Sequence, residues 1–214
     1  MPLVVEMYLD NLEFEFSLKP SVIEALSHYL IAFSGKARVW DDDIGDDIVV
    51  GEITGYRLDI AAARTDNLDL DEFFDSVSAE ISDFKHAVCP SMRYTIEGGE
   101  AAGIEKAECE ALVYISKMLV PPKLRGNRIG TFLMQRLSEV LDMGNGLVGL
   151  KAFPLTDKTI NDNASRTYTE IARVKHFYEK LGFQHAGGEF MKKEARNCLG
   201  PRRRLTPQKS HAPL

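Results

Sequence analysis

Apolar and polar residues alternate along residues 3–18, most clearly at Leu12, Phe14, Phe16 and Leu18. This is the two-residue period of a strand, with Asp10-Asn11 offering a turn inside it. From Pro20-Ser21 the period lengthens. Val22, Ile23, Leu26, Leu30 and Phe33 share a helical face, and Ser34-Gly35 supplies a stop. Ala37–Trp40 reads as a strand and Asp41–Asp47 as an acidic turn around Gly45. Ile48–Ile53 and Tyr56–Ala63 read as strands meeting in a hairpin at Thr54-Gly55. Leu70, Phe73, Phe74, Val77, Ile81, Phe84 and Val88 then mark a helix over Leu70–Val88, stopped by Cys89-Pro90.

Gly98–Gly103 has the composition of a flexible loop. Ala111–Met118 is apolar and β-branched, as expected of a central strand. Gly126–Asp142 carries a helical face of Ile129, Phe132, Leu133, Leu137, Val140 and Leu141, ended by Gly144-Asn145-Gly146. Leu147–Phe153 is another strand. The polar stretch Asp157–Arg166 is a loop, and helix resumes near Ala164 and runs to Leu181. Gly182 is its C-cap, Phe183 begins the last strands, and Glu189–Lys193 is the final one. Helices interleaved with strands predict an α/β or α+β fold with a mixed sheet. Residues 1–194 form one expected domain. Residues 195–214, basic and proline-containing, form an expected disordered tail.

Composition narrows the picture by exclusion. A net charge of −6 over 214 residues argues against a general nucleic-acid binder. Cys89, Cys109 and Cys198 lack disulfide or metal spacing, and His28, His86, His176 and His185 form no ligand pattern. No metal is expected. The first residues lack the basic region and apolar run of a signal peptide, and no apolar stretch approaches the roughly 20 residues of a membrane span. A cytoplasmic location without membrane attachment is the expectation.

The stretch Met118–Thr131, M-L-V-P-P-K-L-R-G-N-R-I-G-T, carries the chemistry. Pro121 and Pro122 cannot donate hydrogen bonds, so they end the strand ladder. Gly126 and Gly130 permit tight turning and close approach. The first N–H groups of the following helix then converge on an anion, and Arg125 and Arg128 add positive charge. An ordinary strand–helix connection with two glycines and two arginines fits the same residues.

This stretch resembles the acyl-CoA signature of the GNAT superfamily of N-acetyltransferases: a strand, V-x-P, two residues, then R/Q-x-x-G-x-G/A opening a helix. Val120, Pro122, Arg125, Gly126 and Gly130 match, whereas Arg128 stands where the middle glycine is usual. Phe177–Phe183, F-Y-E-K-L-G-F, is similar to the family's segment from fourth helix to sixth strand. Ile171 stands where many relatives carry an asparagine, and Asn161 and Asn163 lie too far upstream to replace it. The extra helix at 70–88 adds to the minimal family pattern.

The resemblance implies a mostly antiparallel GNAT-like sheet with a splayed strand pair. It also implies direct transfer from acetyl-CoA, as co-substrate, to a primary amine of an unidentified acceptor. Leu119 and Val120 would hold the pantetheine arm, and residues Arg125, Gly126, Asn127, Arg128, Ile129, Gly130 and Thr131 the pyrophosphate. Tyr178 would protonate the departing thiolate, because a thiol of pKa about 8.5 leaves more easily when a positioned O–H supplies its proton; the other reading makes it an aromatic on an amphipathic helix packed beside Phe177 and Leu181. Glu108, Glu110, Tyr114 and Ser116 are candidates for taking the amine's proton. The acidic turn could draw a cationic substrate or simply be solvated. The 70–88 helix could cover the acceptor side or join two copies in a homodimer. Two other functions remain open: a non-catalytic acyl-CoA-binding regulatory module, and a toxin-like acetyltransferase acting on translation components with its tail touching RNA.

Overall fold

The chain forms a meander before it forms its site. In the computed structural model, β1 (Glu13–Pro20), β2 (Leu30–Asp41) and β3 (Asp46–Asp59) run antiparallel, and three helices follow: α1 (Ile60–Thr65), α2 (Leu70–Val77) and α3 (Ala79–Val88). Then come β4 (Ala111–Leu119), α4 (Ile129–Val140), β5 (Leu147–Lys151), α5 (Tyr168–Lys180), β6 (Gln184–Gly187) and β7 (Phe190–Glu194). The structure describes residues 12–21, 23–88, 109–142, 144–154 and 168–195. The expected turn at Asp10-Asn11, the helix stop at Cys89-Pro90, the loops at Gly98–Gly103 and Asp157–Arg166, and the tail beyond Ala195 lie outside those residues.

The seven strands make one sheet in the order β1-β2-β3-β4-β5-β7-β6. Among the described residues only β4 and β5 pair in parallel, across the α4 crossover. The fold is therefore the mixed α/β architecture that the pattern predicts, mostly antiparallel as the resemblance implies. Two apolar clusters lie on its two faces. One holds Phe33, Ile53, Val113, Ile115, Val148 and Leu150 under Ile129, Leu133 and Leu137 of α4 and Tyr178 of α5. The other holds Leu30, Leu58, Leu112 and Tyr114 under Phe73, Phe74, Ile81 and Phe84 of α2 and α3. Successive residues of β4 thus feed opposite cores, which is why Ala111–Ile115 is uniformly apolar.

Several elements differ from the sequence pattern. The helix expected over Val22–Phe33 is absent. A single 3-10 turn at Glu24–Leu26 leads directly into β2. The spacing of Val22, Leu26 and Leu30 mimicked a helix, but pairing with β1 and β3 over the length of β2 outweighs that local period. Gly35 is accordingly no helix stop; it makes room for Phe14 across the strands, where a Cβ would lie 2.6 Å from the Phe14 ring. Thr54-Gly55 is not a hairpin turn but the middle of one long strand. Residues 60–63, expected as strand, begin α1, capped by the Asp59 carboxylate accepting from Ala62 N at 2.9 Å. The Leu70–Val88 helix is broken at Ser78, whose extended backbone (φ −171°, ψ 152°) separates α2 from α3. Lys85, almost fully buried, joins the two by pairing with Asp71 beside the Phe74 ring.

The detail that matters for function lies where β3 meets β4. Thr54 pairs with Lys117 and Gly55 with Ile115, so Ser116 is an extra residue on β4, a β-bulge. Pairing of β4 with β5 ends at that level, with Ile115 opposite Leu150. Beyond it, β4 continues to Leu119 without β5 beside it. This is the splayed pair expected from the resemblance. Gly55 is required there, because a Cβ would overlap the Tyr114 carbonyl oxygen. Gly55→Ala is expected to cost about 1–3 kcal/mol through forced backbone movement. Urea unfolding measures it; an unchanged midpoint would show that the bulge has slack.

Candidate functional site

The end of β4 turns through Pro121 and a 3-10 turn at Pro122–Leu124 into α4. Gly126 has φ +93° and Arg128 φ +58°, so the chain is not helical until Ile129, three residues later than the apolar pattern suggests. Phe132 is the first residue of α4 to donate backward, to Arg128 O at 2.9 Å. Among the described residues, none accepts a hydrogen bond from the backbone N–H groups of Gly126, Asn127, Arg128, Ile129, Gly130 or Thr131. Six successive donors at the positive end of a helix form an anion cradle.

The cradle opens on a groove of about 700 Å³, with Met118, Leu119 and Val120 on one wall and Val174, Phe177 and Tyr178 of α5 on the other. Arg125, Gly126, Arg128, Ile129, Gly130 and Thr131 also line it, and no carboxylate does among the described residues. The expected residues thus come together, with distinct parts. Arg125 Nε donates to the Val120 carbonyl at 3.1 Å, tying the turn to the strand end. The Ile129 side chain is buried in the core, leaving only its N–H for a ligand. Gly126 is needed for its positive φ and has no neighbour that a Cβ would meet. Gly130 is needed for space: a Cβ there would lie 3.0 Å from Phe177 Cζ, so the glycine lets α5 approach α4. Asn127 is the exception. Its Nδ2 donates to Leu124 O at 3.2 Å and its side chain does not line the groove.

Tyr178 is buried, packed edge-on between Phe177 (5.1 Å between centroids) and Phe183 (5.6 Å). It is a core residue and a groove residue at once. No described residue hydrogen-bonds its hydroxyl, and burial raises its pKa above the usual 10.0. Gly182, with φ +86°, ends the helix as expected and directs Phe183 back under Tyr178.

The proton-acceptor candidates separate. Glu110 stands before β4, roughly 30 Å from the strand's far end by strand rise, and accepts from Asn145 N at 3.2 Å. Ser116 is the bulged residue and donates to Thr54 O at 3.2 Å. Tyr114 points to the other face of the sheet, where its Oη donates to Glu80 Oε1 at 2.8 Å. Burial foremost, then Glu80, raises its pKa. Glu108 lies outside the described residues, as do Asn161 and Asn163. His176 is exposed beside Glu179. Half-buried Cys109 donates to Ala111 O at 3.4 Å, far from the groove. In the acidic turn Asp41 Oδ1 accepts from Asp43 N and Ile44 N, bracing the loop. Among the described residues no three His, Cys, Asp or Glu side chains group as a metal site, and no helix is long and apolar enough to cross a membrane.

What the sequence missed is α5's charge: Arg173 and Lys180 also line the groove. Their spacing from Phe177, i−4 and i+3, was the available signal.

Two outcomes follow. Arg128 holds a left-handed conformation that L-residues adopt at a cost of roughly 1–2 kcal/mol, so Arg128→Gly is expected to raise the unfolding free energy by up to about 1 kcal/mol after the extra freedom of the unfolded glycine is subtracted, read as a higher urea midpoint. A lower midpoint would mean that the arginine side chain contributes more than its backbone costs. The raised pKa values of Tyr114 and Tyr178 mean that the unfolded chain loses these protons first. Stability should therefore be insensitive to both below pH about 10 and fall above it, with a shallower fall in Tyr178→Phe. An unaltered slope in the variant would remove Tyr178 from the effect.

The geometry meets an independent comparison. Residues 91–185 match the family model for the acetyltransferase (GNAT) domain, a span that takes in β4, α4, β5 and α5. No curated protein and no solved structure matches the chain significantly. The matched span contains the bulged strand, the cradle and Tyr178 in that order, so residues 91–185 are similar to the acetyltransferase (GNAT) domain in both sequence and arrangement.

Proposed function

We propose that this chain transfers an acetyl group from acetyl-CoA to a primary amine by direct attack. The observation that carries the proposal is the run of six N–H groups from Gly126 to Thr131, without an acceptor among the described residues, opening on the groove. A diphosphate suits that cradle, because each backbone donor gains a charged acceptor at no reorganisation cost. The pantetheine arm lies against Met118–Val120, where β4 has lost its β5 neighbour. The Val120 carbonyl is engaged by Arg125, so the strand's remaining main-chain groups serve the arm. An N–H there polarises the thioester carbonyl as negative charge develops on its oxygen.

The attacking amine adds to the thioester carbon and the C–S bond breaks; the Tyr178 phenol, held protonated by burial and without a hydrogen-bond partner among the described residues, passes its proton to the departing sulfur and regains one from the proton that the amine nitrogen releases to solvent. No side-chain nucleophile is required. Residues 1–194 act as one domain in this proposal. A second function, a non-catalytic acyl-CoA-binding module, is favoured by one observation: no described carboxylate lines the groove to take the amine's proton.

Acetyl-CoA at about 100 times its dissociation constant should stabilise the chain by about 2.7 kcal/mol, read as a rise in melting temperature. Free thiol should then appear on adding a panel of primary amines. Stabilisation without thiol release selects the binding module, and no stabilisation defeats both. Tyr178→Phe should lower kcat on the order of 10²-fold while leaving the melting shift by acetyl-CoA intact. Full activity in that variant would return Tyr178 to a purely packing role.

A further inference from the structure

We propose that Arg173 and Lys180 of α5 form a second cationic wall that holds the 3′-phosphate of the acyl-CoA and makes the chain selective for CoA over its dephospho form. The inference rests on the acyl-CoA proposal above. Arg173, Phe177 and Lys180 share one stripe of α5, and all three line the groove. Phe177 is the residue that meets Gly130 of the cradle, so the two cations flank the cradle, about 10 Å apart along the helix axis.

The two side chains are uncommitted. Among the described residues neither has a hydrogen-bond or ion-pair partner. The nearby charges of α5 are engaged elsewhere: Lys175 Nζ donates to Gly188 O at 3.1 Å, and Glu179 pairs with His185 at 3.2 Å and with His176 at 3.5 Å. Nothing described in the groove neutralises Arg173 or Lys180, and across it stand Arg125 and Arg128. Arg173 and Lys180 on one wall and Arg128 on the other place like charges around one cavity, and an anion entering it offsets their repulsion.

Charge counting identifies that anion. The diphosphate of CoA carries one negative charge on each phosphorus, and the six N–H groups with Arg128 among them provide for it. Arg173 and Lys180 exceed that need. A phosphate monoester carries about −1.5 to −2 at neutral pH, which matches the two remaining cations. In CoA the monoester sits on the ribose, one sugar ring away from the diphosphate.

Titration calorimetry on the full chain tests this with CoA, dephospho-CoA and adenosine 3′,5′-bisphosphate as probes. CoA should bind about tenfold or more tightly than dephospho-CoA, as two charge-assisted contacts warrant, and the bisphosphate should compete with CoA. The double variant Arg173→Gln/Lys180→Gln should bind both CoA forms alike, with its affinity for dephospho-CoA unchanged. Lys180→Arg should keep the preference. Equal affinity of the unaltered chain for the two forms overturns the clamp and leaves the acyl-CoA proposal standing. A preference that survives in the double variant also overturns it. Binding of neither form defeats the acyl-CoA proposal itself, and the clamp with it.

Discussion

The interruption of the β4–β5 ladder governs everything built above it. Parallel pairing holds for four residue pairs, Leu112 to Ile115 against Leu147 to Leu150, and then stops. Its cause is local. Ser116 is one residue too many for β3, and a bulge bends and twists its strand. Gly55 makes the bulge sterically allowed by admitting the Tyr114 carbonyl where a side chain would otherwise stand. Pro121 and Pro122 then keep the open end from re-pairing. The result is a gap in the sheet bordered by main chain that no described strand occupies, which in a well-formed domain is uncommon outside binding sites.

The helices make that gap specific. Gly51 allows α4 to lie close on β3, since a Cβ there would sit 2.8 Å from Ile129 Cγ2. Burial of Ile129, Leu133 and Leu137 then anchors the helix from its first turn. With Ile129 fixed, the backbone donors before and after it are fixed too, so the cradle is preorganised by packing rather than by its own contacts. Gly130 brings in α5 through Phe177, and Tyr178 follows into the core one residue later. A buried phenol that keeps its proton and a row of cations thus arrive on the same helix, from adjacent stripes.

The other face of the sheet is organised differently from the pattern that the sequence suggests. The helical layer there comes from between β3 and β4, not from between β1 and β2. Phe84 of α3 packs over Gly149 of β5, and the Tyr114 hydroxyl reaches Glu80 near the start of the same helix. Thus α3 crosses from β4 to β5 at the level where the ladder still holds, just short of the splay, while α2 and the buried Lys85–Asp71 pair hold it in place. The core on this face therefore braces the paired half of β4 while the opposite face uses the unpaired half.

The sequence by itself determined the parts whose cause is local. Proline after Val120, positive-φ glycine at Gly126, the apolar stripe Ile129–Leu137 and the F-Y-E-K-L-G-F helix end all act within a few residues, and each lies where the pattern predicts. Tertiary structure decided whatever depends on a distant partner. Residues 30–35 became strand because β1 and β3 offered two ladders at once, although their spacing suited a helix. Thr54-Gly55 became a bulge site because β4 has one residue more than β3. Arg128 took a conformation usual for glycine at the N-cap of the packed α4, which its residue type gives no reason to expect. Arg173 and Lys180 face the cradle only because Gly130 lets two helices touch. Strand pairing, register and helix contact are energies between residues far apart in the chain, and no window along one sequence contains both partners.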